Sequence, residues 1–117
     1  MDREVNLGKE VLKLRKMLGI SQKDFALITS MTQDEIIEIE KSAQIESTFK
    51  RLKISIALER ILEHHHEKYP EFVNNKIIEG IEKINPFDSI DDFSELSLLF
   101  EKINRNIDNF NQSHPRK

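Results

Sequence analysis

The chain has no cysteine and no tryptophan, and its 117 residues include only three glycines and three prolines. Without cysteine there is no disulfide, no thiolate nucleophile and no Cys-ligated zinc, and nothing suggests an oxidising compartment. So few glycines and prolines are sparse punctuation for a sheet protein, which needs tight turns every 8 to 12 residues or so. Long apolar runs are missing too. Met1 opens onto Asp2, Arg3 and Glu4 rather than a basic and then greasy leader, so neither a membrane-inserted helix nor a signal peptide is expected, and the location expected is cytoplasmic. What the chain does have is 38% apolar and 33% charged residues, enough for both a core and solubility. An all-α fold is the simplest reading.

Charge is uneven. Residues 1–58 hold ten Lys or Arg against nine Asp or Glu, net +1, and residues 59–117 hold eight against twelve, net −4, which sum to the −3 of the whole. No dense basic surface of the kind that drives non-specific nucleic-acid binding is present, so any such contact must be local.

Leu7, Val11, Leu14 and Leu18 recur at helical spacing and predict a helix over about 3–18, closed by Gly19. Ser21 can N-cap a second helix over 22–29, with Phe25, Ala26 and Ile28 inward, and Thr32 can N-cap a third over 33–41, with Ile36 and Ile39 inward. A polar bridge, 42–46, leads to a fourth helix carrying Phe49, Leu52 and Ile56. Two short helices joined by a tight turn make a helix-turn-helix.

These residues carry a family pattern. Leu7-Gly8, Val11, Leu14-Arg15, Gly19-Ile20-Ser21-Gln22, Phe25-Ala26, Met31-Thr32, Ile36, Ile39-Glu40 and the run Lys53-Ile54-Ser55-Ile56-Ala57-Leu58 resemble the helix-turn-helix domain of the Cro/CI-type repressors, the xenobiotic-response-element family. The resemblance covers residues 7–58 and implies a lambda-repressor-like bundle that binds double-stranded DNA. It implies that Arg15 and Glu40 form a partly buried ion pair, whose loss through Arg15→Ala would cost about 1 to 3 kcal/mol. It implies that Gln22 holds a phosphate oxygen at the start of the second helix, with Lys23 beside it. It places Thr32, Gln33, Asp34, Glu38 and Lys41 on the DNA-facing helix, where Gln can read adenine and a carboxylate can accept from cytosine.

The sequence also departs from the family. Residues 32–41 hold Asp34, Glu35, Glu38 and Glu40 against Lys41 alone, net −3, and carboxylates repel phosphates. Leu27 and Ile37 stand where polar residues are usual, which suits a protein partner. The cations that could compensate are Arg15, Lys16, Lys23, Lys41, Lys50, Arg51 and Lys53. Ser30 and Ser42 replace glycines common in the family, at about 1 to 2 kcal/mol wherever the turn stays left-handed.

Past Ile54 the fourth helix is expected to reach Tyr69. Pro70 stops it and opens a fifth, over 70–84, with Val73, Ile77, Ile81 and Ile84 on one side and Phe72 and Ile78 flanking. A last helix, capped by Asp88 or Ser89, carries Phe93, Leu96, Phe100, Ile103, Ile107 and Phe110 at alternating spacings of three and four. That seam either packs on the fifth helix in a C-terminal helical hairpin or, because Leu98 and Leu99 add a second greasy strip, pairs with another copy. The reading taken is a homodimer, with residues 1–62 as the DNA-binding-like domain and 63–117 as the oligomerisation region. Such a dimer would set two recognition helices at half-sites about 34 Å apart.

Catalytic chemistry finds no foothold. Adjacent residues on a helix point about 100° apart, so His64, His65 and His66 cannot converge on one metal. No nucleophile elbow, phosphate loop or metalloprotease spacing occurs, so neither an enzyme nor a cofactor is expected. Two readings remain: a dimeric sequence-specific DNA-binding regulator, and a module of the same fold whose acidic, aliphatic third helix docks a protein.

Overall fold

Hydrophobic spacing of three and four along nearly the whole chain yields helices and no strand among the described residues. The structure, a computed structural model, describes residues 6–86 and 96–113, the side chains of His66 and Ser113 excepted. The helices are α1 (Leu7–Met17), α2 (Gln22–Thr29), α3 (Gln33–Lys41), α4 (Thr48–His65), α5 (Glu71–Ile84) and α6 (Leu96–Ser113), with a short 3-10 turn at His66–Lys68 after α4. This all-α architecture is compatible with the expected bundle.

Most boundaries follow the capping chemistry. The Ser21 hydroxyl accepts from the Asp24 amide, and Thr32 and Glu35 form a reciprocal capping box that starts α3. α1 opens at Leu7, after Asn6 caps it through Lys9, rather than near Arg3. Gly19 closes it with φ +71°. α4 stops at His65, four residues short of Tyr69, and Pro70 sits one position before α5 as its N-cap.

α4 is the axis. Leu52, Ile54, Ile56, Ala57, Leu58, Ile61 and Leu62 are buried around it, the pattern of a helix covered on all sides. α5 lies against α1 and α4, while α6 lies against α2 and α4, so the last two helices occupy different flanks instead of closing on each other as a packed hairpin. One core runs through all six helices and across the boundary suggested after residue 62. Phe49 is an exception to the expected stripe of α4 and stands 52% exposed, while Phe72 and Ile78, which flank the α5 stripe, stand 68% and 44% exposed.

The α6 seam is spent inside the chain. Leu99, Ile103 and Ile107, at i, i+4 and i+8, are buried, and Leu96, Phe100 and Phe110 are half-buried against the core. Each buried aliphatic side chain contributes about 1.5 to 3 kcal/mol, which is ample reason for the helix to stay on its own α2 and α4. Leu99 therefore belongs to the seam, and Leu98 alone is left outward, 68% exposed. The seam's centre, expected to meet a second copy, is covered by the same chain; Phe93 lies outside the described residues.

The two serines that stand for glycines behave differently. Ser30 closes α2 in the left-handed region, φ 59° and ψ 40°, whereas Ser42 is extended, φ −96° and ψ 139°, so only the first turn keeps the costly conformation. α6 supports that turn: Asn106 Nδ2 donates to the Ile28 carbonyl and to the Ser30 hydroxyl, both at 2.9 Å. Asn106→Ala is expected to cost about 1 to 2 kcal/mol through those two bonds, read as a lower urea midpoint at unchanged m value.

Candidate nucleic-acid interface

α3 has two unlike edges. Ile36, Ile39 and Glu40 face the core, while Thr32, Gln33, Asp34, Glu38 and Lys41 are exposed and Ile37 is half-buried. Gln33, Ile37 and Lys41 fall in one row at i, i+4 and i+8, and Asp34 and Glu38 in the next. The residues expected at base edges therefore do share one outward face.

The inner edge is locked by an ion pair. Arg15 Nε donates to Glu40 Oε2 at 2.7 Å and Nη2 to Oε1 at 3.0 Å, with both side chains more than nine-tenths buried. Arg15 Nη1 also donates to the Ile20 carbonyl at 2.8 Å. This two-pronged geometry ties α1, the α1–α2 turn and α3 together.

Gln22, expected at a phosphate oxygen, also has a partner inside the chain. Its side-chain amide donates one N–H to Glu40 Oε1 at 2.9 Å and is half-buried, which fixes the side chain at the start of α2 and leaves its second N–H without a partner among the described residues. Lys23, next along, is exposed. Glu40 has more hydrogen-bonding capacity than Arg15 alone satisfies, and the first turn of α2 is the nearest source of another donor.

The compensating cations divide in the same way. Arg15 is buried, and Arg51 closes the C-terminus of α5 by donating to the Ile84 carbonyl at 2.9 Å and the Lys83 carbonyl at 3.4 Å. Lys50 pairs with Glu35 at 3.2 Å. The Thr32 backbone bond, and then Lys50, hold the Glu35 carboxyl below its usual pKa. The cap's contribution is therefore present above the ordinary glutamate pKa and is lost as pH falls through the lowered value. Lys16, Lys23 and Lys41 are exposed. Lys53 is half-buried with Nζ 4.8 Å from the centre of the Phe49 ring, and burial, then Lys102 nearby, push its pKa down.

A groove of about 430 Å³ runs beside the end of α3, lined in part by Glu35, Glu38, Gln44, Glu46 and Lys50. Leu27, on α2, is 63% exposed. Among the described residues no cluster of three or more metal-ligating side chains occurs, and no helix is long and apolar enough to cross a membrane. Sequence reasoning missed the Gln22–Glu40 bond, the Glu35–Lys50 pair and the reach of Asn106 to the turn. Only the Thr32-x-x-Glu35 spacing offered a signal, and it signalled the cap alone. Comparison with protein-family models, with curated proteins and with solved structures finds no match to this chain.

Proposed function

We propose that the chain binds double-stranded DNA, with α3 entering the major groove and Gln33, Asp34 and Glu38 at base edges, and that it serves as a sequence-specific transcriptional regulator. The observation that carries this reading is the division of α3: a polar, hydrogen-bonding edge held outward by a buried Arg15–Glu40 pair on the other side. The resemblance of residues 7–58 to the Cro/CI-type domain supports it. Exposed Lys16, Lys23 and Lys41 supply positive charge around the acidic edge. We assign the α6 seam to the chain's own core rather than to a second copy, so one chain reads one half-site.

Gln33→Ala is expected to cost about 1 to 3 kcal/mol on a preferred duplex and to relax the preference at a single base pair. Selection from a random duplex pool at low salt is the test, and recovery of no enriched motif overturns the reading. One observation favours a second reading, docking of a basic protein segment: the groove beside α3 carries Glu38 and Glu46, which make no ion pair among the described residues, with exposed Leu27 also on this two-helix unit. That reading is favoured instead if the pool yields nothing and a basic peptide binds with an affinity that Glu38→Gln weakens.

A further inference from the structure

We propose that Lys53 of α4 and Lys102 of α6 form a phosphate anchor that grips the DNA backbone on the flank of α3 next to the α2–α3 turn. The proposal rests on the DNA-binding reading and extends the contact surface to a helix outside the helix-turn-helix region.

The placement follows from four contacts and from the packing of α6 on α2 and α4. Asn106 holds α6 against the turn through Ile28 and Ser30, both at 2.9 Å, and Lys102 lies one helical turn earlier on the same face. Lys102 is exposed. On α4, which packs against α6, Lys53 Nζ is poised over the half-exposed Phe49 ring of its own helix at 4.8 Å, and Lys50, one turn before Lys53, reaches Glu35 in the first turn of α3 at 3.2 Å. A row of cations thus runs from the N-terminal end of α3 across α4 to α6. Its members crowd one another: burial and the nearby charges of Lys102 and Lys50 lower the Lys53 pKa, and only Glu35 opposes them. A phosphate seated there would relieve that repulsion, and it is the anion a duplex presents beside a helix lying in its groove. α3 is itself net negative, so the duplex must be held from its flanks.

The test is binding of a mixed-sequence duplex of about 20 base pairs to the full chain across roughly 50 to 200 mM salt, followed by anisotropy. Lys102→Gln and Lys53→Gln are each expected to weaken binding about three- to tenfold at low salt, whatever the base sequence, and to make the log–log salt slope shallower by about 1. Lys76→Gln, at an exposed position on α5, is expected to change neither. Gln33→Ala is expected to alter base preference and leave the slope alone. Wild-type slopes in both lysine variants overturn the anchor while leaving DNA binding intact, and so does an equal loss in Lys76→Gln. A wild-type chain that binds no duplex at low salt overturns both proposals.

Discussion

Arg15→Ala is expected to destabilise the fold by about 3 to 5 kcal/mol, more than the sequence pattern alone suggests, because it leaves the Glu40 carboxylate buried with its main partner gone. Surface ion pairs are worth at most about 1 kcal/mol, but here both side chains are more than nine-tenths buried and the guanidinium also holds the Ile20 carbonyl at 2.8 Å. Three segments therefore lose a common tie. Urea unfolding followed by circular dichroism measures the effect, and an unchanged midpoint would refute the structural role of the pair. Arg15→Lys should recover little, since an ammonium cannot repeat the fork. Joint replacement by Arg15→Met and Glu40→Leu should recover much of the loss, because it removes both charges from the interior.

Gly8→Ala is expected to be comparably damaging, for a steric reason. A methyl group at this position would fall on the carbonyl oxygens of Ser42 and Ile39, and backbone, unlike a side-chain tip, cannot swing aside. The N-terminus of α1 is seated on the end of α3 by two bonds that use otherwise orphaned amides, Leu7 to the Ala43 carbonyl at 2.8 Å and Gly8 to the Ser42 carbonyl at 3.1 Å. Forcing the helices apart combines overpacking of about 1 to 3 kcal/mol with two bonds of about 1 kcal/mol each. We expect about 3 kcal/mol or more, seen as a fall in Tm of roughly 10 °C or more. A Tm within about 2 °C of wild type would show that the seat is looser than drawn.

The elements legible in the sequence are those whose signals are local. α2 and α3 begin after Ser21 and Thr32 because a hydroxyl caps amides three residues on, and the spacing of Leu14, Phe25, Ile36 and Ile39 marks inward faces. The Arg15–Glu40 pair was accessible only through the family resemblance, since nothing at either position alone announces a partner 25 residues away. What stayed hidden was decided by tertiary competition. Periodicity marks a greasy stripe on α6 but not what covers it, and α2 and α4 win it from a second chain. Gln22 has the right chemistry for a phosphate, but its bond to the buried Glu40 carboxylate depends on a partner 18 residues away that its own position does not announce. At the candidate interface, then, the outward row of α3 was readable and the disposition of its surrounding charges was not.

The contact between Asn106 and the turn at Ile28 and Ser30 spans 76 to 78 positions of chain. Long-range closures of this kind come late in folding. During synthesis α2 and α3 leave the ribosome well ahead of α6, so the nascent chain carries these two helices before the element that clamps their turn, with α4 still lacking the cover that α6 gives it. The interval is an exposure to misassociation that chaperones would be expected to shield, and it ends only when the sixth helix has docked.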